Sequence, residues 1–284
     1  MRHLNKPNFK VKEIVEKCAS SYKDKLKANR FLTCSEYIKI MSNDYDIKAS
    51  KGEWSKISKE CKVNKIITAS EMIEIYKNKF VGNKYLKQEY YDKILLLSPY
   101  GKCPICGVGQ VSTLDHYLAK SLYPTYTITP FNLVPVCRDC NSNKADLDIT
   151  TDSNAPFHPY YDTIDNLIWL CANIEIQDGM IVSSYFISHQ IKLDDIELYN
   201  RLNSHFNLYK LSKIYSIQAS TEIAENTVFW KQKYIFWGKK EFKEYLSDCL
   251  SSKEKYQKNT WNTALLRAII ENVEIFDKLV NLET

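Results

Sequence analysis

Residues 101–148 read GKCPICGVGQVSTLDHYLAKSLYPTYTITPFNLVPVCRDCNSNKADLD, and this stretch decides how the rest of the chain is read. It holds two C-x-x-C knuckles, Cys103-Pro104-Ile105-Cys106 and Cys137-Arg138-Asp139-Cys140, separated by 30 residues. Each knuckle turns two thiolates toward one point, and two knuckles supply the four soft ligands of a tetrahedral zinc site. Gly107 and Gly109 suit a tight turn after the first pair. A redox dithiol would explain one pair and leave the other idle. The remaining cysteines, Cys18, Cys34, Cys61, Cys171 and Cys249, are scattered through apolar patterns and read as small core residues in a reducing compartment. A structural zinc ion on Cys103, Cys106, Cys137 and Cys140 is therefore expected, stapling a segment too loop-rich to rely on a large core.

Four thiolates leave zinc no open position, so such an ion fixes a scaffold and does not itself catalyse. The scaffold presents Leu114-Asp115-His116-Tyr117, then Phe131-Asn132-Leu133-Val134-Pro135, then Cys140-Asn141-Ser142-Asn143-Lys144. The pattern predicts strands at Val111–Leu114 and Leu133–Val136, and a short helix from near Cys140. Successive strand residues point to opposite faces, so Asp115 and His116 need a kink at the strand end if both are to serve one site. Taken singly, Asn132 reads as a turn residue, Asn141 as a helix cap and Lys144 as a solvated side chain. The ordered constellation carries the inference.

In that order these elements resemble the HNH endonucleases, the ββα-metal or His-Me finger group, over about residues 101–148. The resemblance implies two short strands followed by a helix, and metal-dependent hydrolysis of DNA phosphodiester bonds to 3′ hydroxyl and 5′ phosphate ends. It implies that His116 is the general base, that Asp115 and Asn141 supply oxygen ligands to one Mg²⁺ or Mn²⁺, and that Asn132 ties down the loop between the strands and so holds His116. Lys144, with Arg138, is implied to contact backbone phosphates. Asn141 stands where other members carry His, a variant suited to a hard cation, and Ala119 stands where many relatives have proline. Phe157-His158-Pro159-Tyr160-Tyr161-Asp162 also resembles a segment that follows such modules; His158 reads either as packing at the module edge or as a group approaching metal or DNA. Proteins of this type often accompany ATPases or other sensors in bacterial anti-phage defence, which implies such a partner. The rival from another class is a zinc-ribbon adaptor that binds nucleic acid or a partner without cutting. An RNA-directed nuclease of the same mechanism is the third reading. An adaptor has no need for Asp115, His116 and Asn141 together.

Outside this module the chain reads as helical. Val11, Ile14, Val15, Cys18, Ala19, Tyr22 and Leu26 recur at helical spacing and predict a helix from Phe9 to about Lys27. A second is predicted over Ser35–Met41, a third to about Lys79 behind the capping box Thr68-Ala69-Ser70-Glu71, and a fourth over Tyr85–Leu97. Leu167–Ile176 and Met180–Ser188 flank Gln177-Asp178-Gly179 as a β-hairpin. Helices follow at about 194–216, 220–234, 240–250 and 261–280. Tyr160, Trp169, Trp230, Trp237 and Trp261 sit among Leu and Ile and read as core. The fold class expected is α+β: a helical, basic lobe over 1–99, the nuclease-like module over 100–163, and a hairpin with helices over 164–284.

Composition bounds the function. The chain has 284 residues, 7 of them glycine, and contains neither a G-x-G-x-x-G nor a G-x-x-x-x-G-K run, which argues against a dinucleotide-binding dehydrogenase or a nucleotide-driven motor. Residues 1–100 carry 21 Lys and Arg against 12 Asp and Glu, a local surplus of nine positive charges. That surplus suits attraction of a polyanion, and equally suits ordinary solvated helix faces. No apolar run approaches the ~18 residues of a membrane span, and Arg2, Lys6, Lys10 and Lys12 interrupt any secretory signal. A soluble cytoplasmic protein with a nucleic-acid partner and no membrane contact is expected.

Overall fold

The computed structural model describes residues 1–281. The fold is α+β, with two compact units, one over Met1–Asp162 and the other from Thr163 onward.

The first unit opens with helices α1 (Val11–Ser20) and α2 (Lys25–Ser50). The stripe Val11, Ile14, Val15, Cys18 and Ala19 is buried as its spacing requires. The helix does not run on to Lys27, because the Asp24 carboxylate accepts from the Leu26 and Lys27 amides at 2.9 and 3.1 Å and starts a new helix there. α2 is far longer than the expected Ser35–Met41. Its buried face includes Ser35 and Ser42 beside Phe31, Cys34, Ile38 and Tyr45, and these polar members hid the period. Ser42 is satisfied inside by the Thr129 hydroxyl at 2.8 Å.

A short hairpin follows, β1 (Lys62–Val63) and β2 (Ile67–Thr68), turning through Asn64 and Lys65 at positive φ. Helix α3 (Ala69–Ile75) begins with the expected capping box: the Thr68 hydroxyl accepts from the Glu71 amide at 3.3 Å, and the Glu71 carboxylate accepts from the Thr68 amide at 2.9 Å. The chain continues through a widened π-helical turn at Tyr76–Val81. Asn83 then caps α4 (Lys84–Leu86), and a second π-helical turn leads into α5 (Asp92–Leu95).

Strands β3 (Thr113–His116) and β4 (Leu133–Val136) pair antiparallel, and α6 (Arg138–Lys144) follows, giving the ββα order. β3 lies two residues later than its pattern suggested, so Asp115 and His116 are inside the ladder, opposite Val134 and Leu133. A hydrophobic cluster joins helices and strands of this unit. Leu114, Ile128 and Leu133 are buried in it together with Ile14, Phe31, Ile38, Met72, Phe80 and Ile94 from the helices.

In the second unit, β5 (Leu170–Gln177) and β6 (Met180–Ile187) form the expected hairpin. Asp178 and Gly179 both have positive φ, the two-residue turn whose twist matches that of the strands. Among the described residues it is completed by helices α7 (His189–Asp194), α8 (Ile196–Leu208), α9 (Leu211–Trp237), α10 (Lys239–Tyr256), α11 (Trp261–Glu271) and α12 (Ile275–Asn281). α9 packs on β6 and α11 on β5. The expected helix at 194–216 is broken at Lys210, which adopts φ 52°, and α9 absorbs the segment at 220–234. Trp169 and Trp230 are core residues as expected. Among the described residues no helix is long and apolar enough to cross a membrane.

Candidate functional site

The two knuckles meet. The sulfurs of Cys103, Cys106, Cys137 and Cys140 lie within 4.8 Å of one another, all buried, with Cys106 and Cys137 sulfurs 3.9 Å apart. Four thiolates at about 2.3 Å from a central ion stand roughly 3.8 Å from each other, so the cluster could hold a tetrahedral zinc ion. The backbone is folded around the sulfurs. The Gly109 amide donates to Cys106 Sγ at 3.3 Å and the Cys140 amide to Cys137 Sγ at 3.4 Å. The two glycines serve different purposes. Gly107 turns the chain at φ 70°, whereas Gly109 makes room: a Cβ there would meet Cys137 Cβ at 2.7 Å and Sγ at 2.8 Å.

Immediately beside the cluster, Cys137 caps α6, and that helix carries Asn141 and Lys144 toward β3. Asp115, His116 and Asn141 all border one cleft of about 260 Å³, together with Tyr76, Ala119, Lys120 and Asp146. All three residues line this cleft although Asp115 and His116 are successive strand residues.

His116 is held by its far nitrogen. Nε2 lies 2.9 Å from the Thr127 carbonyl, which can only accept, so Nε2 carries the proton and Nδ1 keeps a lone pair. The Tyr76 ring meets the imidazole edge-on, centroids 4.6 Å apart. Burial, then the neighbouring Lys120, push the imidazole down to about 3 against the opposing pull of the Thr127 bond, which keeps it neutral. Burial pushes the Asp115 carboxyl up from its ordinary range, opposed by the Lys144 ammonium.

Lys144 does not sit where phosphate contact would put it. Its side chain is 1% exposed; its ammonium donates to Asp115 Oδ1 at 3.2 Å and to the His116 carbonyl at 2.8 Å, and pairs with Asp115 Oδ2 at 3.1 Å. Arg138, by contrast, is exposed.

Asn132 is fully buried at the base of the loop joining β3 to β4. Its amide bonds Leu118 and Tyr126 across that loop, and Tyr45 of α2 donates to its Oδ1 at 3.3 Å. His158 is a packing residue: its ring is stacked on Trp54, centroids 5.4 Å apart, and Nε2 lies 3.1 Å from the Phe131 carbonyl. The sequence did not point to Tyr45, Tyr76, Lys120 or the Thr127 carbonyl. Only Lys120 had a signal, its closeness to His116 along the chain; the others reach the site through the tertiary fold.

No family model matches the chain, and no solved structure matches it. It is 30% identical over 157 residues to Protein ea31 of Escherichia phage lambda, covering 54% of this chain and 52% of that protein. The chain thus spans about half the length of the curated relative it matches.

Proposed function

We propose that the module built on β3, β4 and α6 is a metal-dependent HNH endonuclease centre that hydrolyses DNA phosphodiester bonds, stapled by a structural zinc ion on the four cysteines. The observation that carries this reading is the shared cleft of Asp115, His116 and Asn141 beside the cysteine cluster. A neutral imidazole with Nε2–H committed to Thr127 is a base with one free lone pair. Nδ1 would take a proton from water as the water oxygen forms its bond to phosphorus and the bond from phosphorus to the 3′ oxygen breaks. Asp115 and Asn141 are oxygen donors of the kind a hydrated Mg²⁺ or Mn²⁺ takes. Bound there, the cation would neutralise charge on the scissile phosphate and on the departing 3′ oxygen. Asn132 and the Thr127 carbonyl would keep the ring in place during transfer. Lys120, half-buried on the cleft wall, is the cation placed to meet the incoming phosphodiester.

The test is nicking of plasmid DNA by the zinc-loaded protein with added Mg²⁺ or Mn²⁺, with structured RNA as a parallel substrate. His116→Ala should abolish cleavage and leave zinc content and circular dichroism unchanged. Equal cutting by wild type and His116→Ala would remove this centre from the reaction, and cutting of RNA alone would reassign the substrate. An ATPase or sensor partner in phage defence is part of the same proposal, tested by co-purification with its genomic neighbours.

A further inference from the structure

We infer that Lys144 is a positioning residue whose buried charge makes cation capture at Asp115 depend on a bound polyanion. This rests on the nuclease reading above. Two acceptors hold the ammonium, Asp115 Oδ1 and the His116 carbonyl, and the charge pairs with the carboxylate. The carbonyl matters most, because it leaves the ammonium anchored to the backbone when the carboxylate turns to another cation. Lys144 therefore cannot simply swing out to solvent as a divalent ion arrives. Asn141 lies one turn earlier on the same short helix, so the same contact also fixes the spacing between the two oxygen donors.

The charge balance of the cleft gives this arrangement a consequence. Asp115 and Asp146 line it as anions and Lys120 as a cation, Lys144 lies buried behind Asp115, and the four charges cancel. A dication entering alone leaves the cleft with two uncompensated positive charges, one fixed ammonium being already at the carboxylate and shielded from water. Phosphodiester groups entering with it relieve that excess. Cation and polyanion thus strengthen one another's binding, and by linkage the effect is reciprocal. A site of this kind stays largely empty at cellular Mg²⁺ until nucleic acid fills the cleft.

The measurement is titration of the full-length, zinc-loaded protein with Mn²⁺, reading free Mn²⁺ by electron paramagnetic resonance. It is made with and without a phosphorothioate DNA duplex that resists hydrolysis. Asp115→Asn serves to subtract ion held by the duplex itself. Wild type should bind Mn²⁺ about tenfold or more tightly with the duplex present. Lys144→Gln should bind Mn²⁺ alone about tenfold more tightly than wild type and lose most of the duplex effect, while Lys144→Arg keeps wild-type behaviour. A purely structural clamp predicts the reverse, weaker Mn²⁺ binding in Lys144→Gln, and that result overturns the proposal. Should Lys144→Gln fail to fold, wild type decides: equal Mn²⁺ affinity with and without duplex overturns it. Absence of any Asp115-dependent Mn²⁺ binding would instead overturn the metal-centre reading beneath it.

Discussion

Asn132 and Leu118 close the loop between β3 and β4 by a reciprocal pair of hydrogen bonds: Asn132 Oδ1 accepts from the Leu118 amide at 2.8 Å, and Nδ2 donates to the Leu118 carbonyl at 3.2 Å. One side chain thereby imitates a strand neighbour for a backbone that has just left the sheet. The same Nδ2 reaches the Tyr126 carbonyl at 3.2 Å, one residue before the carbonyl that orients His116. Local order in the loop and the orientation of the imidazole are thus linked.

Asn132→Ala should cost about 3 kcal/mol, since it leaves buried amide and carbonyl groups without partners. Urea denaturation measures this. A loss below about 1 kcal/mol would show that the bonds of Thr129 to Ser42 and of Thr125 to the Glu60 carboxylate, at 2.8 and 2.7 Å, hold the loop without it. DNA cleavage should fall further than stability, because the Thr127 carbonyl moves with the loop.

The two glycines after the first knuckle should respond differently. Gly107→Ala is expected to cost about 1–2 kcal/mol, the strain of a left-handed residue with a Cβ, with zinc retained. Gly109→Ala forces a Cβ into Cys137 and should lower zinc content as well as stability. Metal analysis of the two purified variants separates the cases, and equal zinc content would refute the close-approach argument.

Cys137→Ser removes one zinc ligand but leaves a hydroxyl able to cap α6, so its effect reports on the metal cluster alone. Zinc per chain should fall below one and the melting temperature should drop; a folded, zinc-free variant with unchanged melting temperature would refute the staple.

Glu71 provides a pH test. Although burial raises its carboxyl, bonds from Thr68 and the Arg30 guanidinium outweigh this and hold it below the ordinary carboxylate range. A lowered folded-state pKa means the unfolded chain binds more protons near that range. The contribution is therefore complete above the unfolded pKa of about 4.3 and is lost as pH falls through the lower folded value. The stability gap between wild type and Glu71→Gln should be largest near neutrality and shrink below pH ~4. Thr68→Ala should cost about 1 kcal/mol, the ordinary worth of an N-cap, at neutral pH.

Local chemistry was legible wherever one short segment carries the whole signal. The knuckles, the capping box at Thr68 and Glu71, the turn at Asp178-Gly179 and the stripe of α1 all depend on neighbours within a few residues, and their geometry follows from side-chain type and spacing. The full length of α2 was not, because its face is interrupted by Ser35 and Ser42, whose burial makes sense only beside a loop almost ninety residues away.

The sequence by itself pointed to the four-sulfur cluster and the ββα order and singled out Asp115, His116, Asn132 and Asn141 as candidates, because a thiolate, an imidazole and an amide keep their chemistry wherever they are placed. Tertiary structure alone decided what those groups face: the Thr127 carbonyl behind His116, Tyr45 on Asn132, and above all the burial of Lys144 against Asp115. An ammonium in water and an ammonium enclosed beside a carboxylate have the same residue name, and desolvation, which separates them, is set by how distant segments close around the site.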